Sequence, residues 1–229
     1  MMKILAVSDI HSPLYLALFR QALDRVKNED LCAFVLAGDI IDRGKVDMAI
    51  PVVKEIRRIW REAPIIAVFG NEEYIDSRHL LIKNLNDVIW LDDSYVTLKC
   101  YEKKIGVVGT QGALDRLTKW QTKNFPQLSE IYMKRSSFIE NTVRTLRSIV
   151  DRVIVVSHYA LAKDNLIGEN PAFWSEMYSS KMEEAIRRSR PDVAIHGHAH
   201  RGTRFTSLEG VPVFNVSLPL IKRIEVISL

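Results

Sequence analysis

Residues 3–9 read Lys3-Ile4-Leu5-Ala6-Val7-Ser8-Asp9 and residues 32–39 read Cys32-Ala33-Phe34-Val35-Leu36-Ala37-Gly38-Asp39. Each is a short β-rich run, apolar on both sides, that ends on an acid. Between them Leu16, Phe19, Leu23 and Val26 recur at helical spacing after Ser12 and Pro13, an N-cap and first-turn pair. Strands that are apolar on both faces and joined by amphipathic helices belong to a buried parallel sheet. The alternation continues: Val52 or Val53, Ile56 and Ile59 predict a second helix and Ile65–Phe69 a third strand, so the chain opens βαβαβ.

Further along, Tyr95–Lys99, Lys104–Val108, Arg152–Val156 and Val193–His196 read as strands. Ile139, Val143, Leu146 and Val150 predict a helix, and Ser180 with Glu183 reads as a capping box opening another that closes before Pro191. After Pro191, Arg204–Leu208, Val211–Val216 and Arg223–Ser228 follow one another with turns at Glu209–Gly210 and around Pro219 and no intervening helix, which predicts an antiparallel meander. No Gly-, Pro- or Ser-rich linker and no internal repeat divides the chain. Residues 1–229 are therefore read as one layered α/β domain with a basic helical insertion at about 112–150.

Of the 229 residues 47% are hydrophobic and 26% charged, which excludes a mainly disordered, collagenous or low-complexity chain. The longest apolar run, Leu31–Ala37, has seven residues against the roughly 20 of a membrane-spanning helix, and Ile4–Val7 is too short for a signal-peptide core. No membrane association and a cytoplasmic location are expected. Cys32 and Cys100, far apart in sequence, are expected to be reduced thiols. The 32 Lys and Arg exceed the 28 Asp and Glu by four, and the segment 110–150 alone holds seven of the former against three of the latter. That modest basic region favours an anionic ligand but falls short of a dedicated nucleic-acid surface, and nothing in the sequence sets an oligomeric state.

Acids, imidazoles and an amide gather just past the carboxyl ends of the predicted strands: Asp9 and His11, Gly38-Asp39, Gly70-Asn71, His158, and His198 with His200. In open α/β sheets ligands bind at that edge. Residues two apart in extended chain point to one side, so Asp9 with His11, and His198 with His200, can each converge on a point. Seven such donors suit borderline divalent metals such as Mn, Fe, Co, Ni or Zn. They are too many for one tetrahedral ion and fit two ions sharing a carboxylate, about 3.5–4 Å apart as in two-metal hydrolases.

Asp9-Ile10-His11, Gly38-Asp39, Gly70-Asn71, His158 and Gly197-His198-Ala199-His200, in that order, resemble the calcineurin-like metallophosphoesterase superfamily over most of the chain. The resemblance implies a four-layer αββα sandwich of two mixed β-sheets flanked by helices. It also implies that Asp9, His11, Asp39 and His200 hold one divalent ion, that Asp39, Asn71, His158 and His198 hold a second, and that the nucleophile is a hydroxide bridging the two. Asn71 would help take up charge on the phosphoryl oxygens. Arg43 sits in a segment, Gly38 to Gly44, that resembles the one supplying a phosphate-binding Arg in phosphoprotein phosphatases; its alternative role is a surface ion pair with Asp42 or Glu72.

One position departs from the family pattern. Gly-Asn is usually followed by His, but here by Glu72 and Glu73, which removes a proton donor for the leaving oxygen and sets a carboxylate against an anionic substrate. The expected activity is a metal-dependent phosphoesterase acting on phosphodiester or phosphomonoester bonds, with the change at Glu72 tilting towards diester or activated substrates. Two alternatives stand beside it: a catalytically weak scaffold of this fold that binds a protein partner, and a nuclease-type member, for which nucleic acid is possible but not favoured. For specificity, Asn170, Phe173 and Trp174 mark a candidate substrate-facing loop at 159–178, and Arg116, Lys119 and Lys123 a candidate anion-steering helix face.

Overall fold

Among residues 2–229, which the computed structural model describes, eleven strands form two sheets. In chain order the elements are β1 (Lys3–Val7), α1 (Leu16–Val26), β2 (Ala33–Ala37), α2 (Ala49–Ile59), β3 (Ile65–Val68), α3 (Arg78–Asn84), β4 (Val88–Leu91), β5 (Ser94–Cys100), β6 (Lys103–Thr110), α4 (Lys119–Asn124), α5 (Leu128–Leu146), β7 (Arg152–Ser157), α6 (Ser180–Ser189), β8 (Val193–His196), β9 (Phe205–Leu208), β10 (Val211–Asn215), α7 (Leu218–Ile221) and β11 (Glu225–Ser228). The first sheet has the order β11-β1-β2-β3-β4 and the second β5-β6-β7-β8-β10-β9. Pairs β1 to β4 are parallel and β11 joins β1 antiparallel; β6, β7, β8 and β10 are parallel, with antiparallel β5 and β9 at the edges. Both sheets are thus mixed.

Side-chain alternation stacks the layers. In β1, Ile4 and Ala6 face the second sheet and pack with Val35, Ile66, Val107, Ile154 and Ile195. Leu5 and Val7 face outward onto Phe19 and Leu23 of α1 and Val52 and Ile56 of α2. On the far side Ile139, Val143 and Leu146 of α5 and Met182 and Ile186 of α6 cover Val108, Val153 and Val155. A strand with period two feeds a different core on each face, and both faces here are apolar because both are covered. The result is helix, sheet, sheet, helix, as the resemblance implied.

Several local expectations change. The C-terminal segments do not form one meander: β9 and β10 pair as a hairpin in the second sheet, but β11 crosses to the first and pairs with β1. A strand not read from the sequence, β4, forms after α3. Helix α1 begins at Leu16 without a side-chain cap, so Ser12 and Pro13 precede it as a turn. The capping box lies at Thr118 and Gln121 of α4, whereas Ser180 bonds Asp115 and Glu183 accepts from the Lys163 amide at 2.7 Å. The expectation of reduced thiols is overturned: Cys32, just before β2, and Cys100, at the end of β5, form a disulfide with Cα atoms 5.3 Å apart. Both sit in the core between the sheets, whose stacking joins residues 68 apart in sequence. No helix among the described residues is long and apolar enough to cross a membrane.

Candidate metal centre

The sequence singled out donors at the carboxyl ends of five strands, and the sandwich brings those ends together. Asp9 and His11 follow β1, Asp39 follows β2 and Asn71 follows β3, all from the first sheet; His158 follows β7 and His198 and His200 follow β8, from the second. Donor atoms of Asp9, His11 and His200 lie within 4.8 Å of one another, as do those of Asp39, His158 and His198. Asp39 Oδ2 stands between the sets, 3.7 Å from His11 Nε2 and 3.4 Å from His158 Nε2. Asn71 Oδ1 lies 3.1 Å from His158 Nε2, which adds the amide to the second set.

The backbone is held in costly conformations to achieve this. Asp9, His11, Asp39 and His198 all have positive φ, at 57°, 41°, 49° and 69°, a region that side chains other than Gly, Asn and Asp seldom occupy. Two glycines allow the strand ends to close in. A Cβ on Gly70 would stand 2.1 Å from Asp39 Oδ1, and one on Gly197 would stand 2.6 Å from Asp9 Oδ2.

Each acid keeps an oxygen in reserve. Asp9 Oδ2 accepts from the Ser8 hydroxyl at 2.5 Å and from the His198 amide at 3.0 Å, while Oδ1 faces His200 Nε2 at 3.0 Å. Asp39 Oδ1 accepts from the Glu72 amide at 2.9 Å, leaving Oδ2 towards the imidazoles. Burial would raise the Asp9 and Asp39 carboxyls; for Asp9 the His200 bond and the His158 charge, and for Asp39 the His158 charge and bond, hold them below the ordinary carboxylate range instead. Burial would lower His158, but Asp39 raises it to about 9. Burial, followed by repulsion from His158, lowers His198 to about 3, so that ring is neutral and its lone pair is free to ligate.

Two fully buried carboxylates ringed by four imidazoles call for a compensating cation. His11 Nε2 adds a direct sign, because it is buried with no hydrogen-bond partner although it points between Asp9 and Asp39. The donor set and this orphaned nitrogen fit divalent metal ions.

The two glutamates that depart from the motif take separate jobs. Glu73 is 1% exposed and accepts from the amides of Asp39, Ile40, Ile41 and Gly70 at 2.9, 2.8, 3.1 and 2.6 Å. Burial and then the Asp39 charge push its carboxyl up to about 7 against the pull of those donors. It is a knot under the loops, a role that no local sequence pattern announces. Glu72 faces the centre: its Oε1 accepts from Asn71 Nδ2 at 3.1 Å and its Oε2 from the Arg43 amide at 2.7 Å. Together with Asp42 and His11 it forms a third grouping at the rim, and Asp42 was not singled out from the sequence. The Arg43 side chain is 80% exposed and lies 3.9 Å from Asp42, the surface ion pair that was its alternative role.

The specificity expectations change more. Arg116 lies before α4 and pairs with Glu176 at 3.1 Å, so it does not share a helix face with Lys119 and Lys123. Trp174 packs beside Ala160, Leu166 and Tyr178, and Asn170 caps the short turn that follows it. His196 is buried and its Nδ1 donates to Gly197 O at 2.8 Å, and His79 is exposed.

Comparison with known proteins agrees with this architecture. The family model described as calcineurin-like phosphoesterase matches residues 2–202. Among solved structures, the phosphopantetheinyl hydrolase of Mycobacterium tuberculosis superposes with a TM-score of 0.70 at 14% identity, covering 94% of this chain and 88% of that one. A dimetal phosphatase from Danio rerio gives 0.63 at 14% identity over 93% and 86% of the two chains. A 5'-nucleotidase precursor from Thermus thermophilus gives 0.58 at 14% identity, over 93% of this chain but 48% of its own. No curated protein sequence matches significantly. At such identities the structural likenesses carry the fold, and the family match carries the rest: this chain belongs to the calcineurin-like phosphoesterases, hydrolases of phosphate esters that use divalent metal ions.

Proposed function

We propose that the protein is a phosphodiesterase with a two-ion centre. The observation that carries this reading is Asp39 Oδ2, which stands within 3.7 Å of donors from both groupings, where one oxygen can serve two ions. Asp9, His11, Asp39 and His200 would hold one ion and Asp39, Asn71, His158 and His198 the other. Two divalent ions, when bound, lower the pKa of a water towards about 7 and draw charge from phosphoryl oxygens. Manganese is the first ion to try, with Fe, Co, Ni and Zn as alternatives.

The remaining work falls to the chain. Glu72 takes the Asn71 Nδ2 hydrogen, which fixes the flip of that amide and turns Oδ1 inward to His158. Both Glu72 oxygens are engaged as acceptors, so residue 72 steadies the site rather than supplying the proton a leaving alkoxide needs. Its charge at the rim, beside Asp42, opposes a phosphomonoester dianion more than a diester monoanion. Esters of acidic alcohols, which leave without protonation, suit such a site best. Arg43, whose exposed side chain is held only by the long contact to Asp42, would leave that carboxylate to meet a phosphate oxygen. A cytoplasmic location belongs to the same proposal and rests on composition alone.

The test is steady-state hydrolysis of bis(p-nitrophenyl) phosphate and p-nitrophenyl phosphate by metal-stripped protein reloaded with Mn, Ni, Zn or Mg. A diester kcat/KM above the monoester value by about tenfold or more is expected, with a fall of at least about a thousandfold in Asp39→Ala. Two ions bound without turnover would favour a partner-binding scaffold instead.

A further inference from the structure

Beside the metal centre lies a cavity of about 540 Å³, and its walls bear on what the phosphate is esterified to. Asn71 and His198 are among its lining residues, so it adjoins the proposed ion site. The segment that composition marked only as basic supplies one wall, with Leu114, Trp120, Phe125, Leu128 and Tyr132, joined by Tyr159 from the end of β7. These are aromatic or aliphatic faces. Trp120 is 61% exposed, and its ring neighbour is Phe125, 5.3 Å away. Helix α4 and the loop before it are therefore spent on presenting a large apolar side chain to the cavity rather than to the core.

The charged groups of the cavity other than Asp76 are already paired. Arg78 is bound to Asp92 at 3.1 Å and to Gln111 at 3.0 Å, and lies over the Phe69 ring. Glu176 is held by Arg116 at 3.1 Å, and Glu73 by four backbone amides. Asp76 stands exposed near the mouth. No cation among the described lining residues is left for a second anionic group. What remains inside is ring faces and a neutral trio, in which Gln121 Nε2 donates to the Tyr132 and Tyr159 hydroxyls at 3.2 and 3.3 Å.

We propose that this cavity receives an uncharged aromatic group esterified to the phosphate, stacked against Trp120 and Phe125, and so selects aryl or heteroaryl esters over small polar ones and over esters bearing a second phosphate. The inference rests on the phosphoesterase reading for the position of the phosphate, but the cavity can be tested without turnover. Aromatic faces prefer offset or edge contact with another ring, and clefts of this size bury most of a ring-sized ligand.

The experiment is calorimetric titration of the manganese-loaded protein with the monomethyl esters of benzyl-, cyclohexylmethyl- and ethylphosphonic acid (the phenyl, cyclohexyl and methyl probe esters, after the group under test), which share one anionic head and carry that group on carbon, so that it cannot leave as an alcohol. The phenyl ester should bind about tenfold or more tighter than the methyl ester, with the cyclohexyl ester between them. In Trp120→Ala, an exposed position that does not threaten folding, the phenyl-to-methyl ratio should fall below about threefold; Phe125→Leu should reduce it while keeping the cavity lined. Equal phenyl and methyl affinities, a cyclohexyl ester as tight as the phenyl, or a ratio unmoved in both variants would each overturn the proposal. A phenyl preference that stands in a protein without hydrolytic activity would sink the enzymatic reading and leave the cavity assignment intact. Turnover without a phenyl preference would do the reverse.

Discussion

Asp9, Asp39, His158 and His198 were legible from sequence because each stands within two residues of the end of an apolar strand, and parallel strands deliver their carboxyl ends to one edge. Glu73 was not, since its role depends on four amides contributed by two loops and the residues alone do not say where those amides point. The prediction at this scale follows from the cost of a buried N–H left without an acceptor, about 1–3 kcal/mol each. Glu73→Ala should lose at least about 3 kcal/mol of unfolding free energy in urea, with Glu73→Gln, which keeps one acceptor oxygen, losing less. Glu72→Ala should behave differently, because the residue is at the rim and half-buried. Stability within about 0.5 kcal/mol of the parent is expected, together with a fall in kcat as the Asn71 amide is freed. If Glu72→Gln, which keeps an oxygen to accept from Asn71, does not recover more of that kcat than Glu72→Ala, the positioning role is wrong.

Among the elements, those carried by hydrophobic period were readable and those set by partners far away in sequence were not. β1, β2, β3 and β7 announce themselves as apolar runs. β11 reads as the third strand of a meander, yet its Val226 and Ile227 fit the edge of β1, and no local pattern distinguishes the two sheets. The disulfide was hidden for the same reason, since only sheet stacking brings Cys32 to Cys100. Closing a loop of 68 residues stabilises by about 2–4 kcal/mol, and a Cys32→Ser, Cys100→Ser double variant should lose that amount in urea. The basic segment also resolves into unlike parts. Arg135 of α5 is buried against Asp93, at 2.8 and 3.0 Å, and donates to Gly112 O at 2.6 Å; Arg144, on the same helix, makes a single exposed pair with Glu140. Arg135→Met should therefore cost about 2–4 kcal/mol, and Arg144→Met no more than about 0.5 kcal/mol. Equal losses would mean that α5 is held by its apolar face alone.

At the scale of the whole molecule the candidate ligands straddle the seam of the sandwich. Asp9, His11, Asp39 and Asn71 hang from the first sheet and His158, His198 and His200 from the second, with protein-only ties such as His200 Nε2 to Asp9 Oδ1 at 3.0 Å and the His198 amide to Asp9 Oδ2 at 3.0 Å across the join. Without cations, two buried carboxylates and the positive-φ backbone of His11 and His198 load this seam. An ion that binds only the folded chain adds stability by mass action, about 2.7 kcal/mol at a hundredfold excess over Kd. For a chain of this length that is about 5–10 °C in Tm. Loading stripped protein with manganese should raise Tm by that amount, EDTA should reverse it, and magnesium, which prefers all-oxygen shells, should shift it less. Asp39→Ala should lose most of the shift because both sets would lose a shared donor, whereas Asp9→Ala, removing a donor from one set, should keep part of it. If the two variants lose the shift equally, the sites do not share Asp39 and the two-ion reading falls, whatever the hydrolysis assays show.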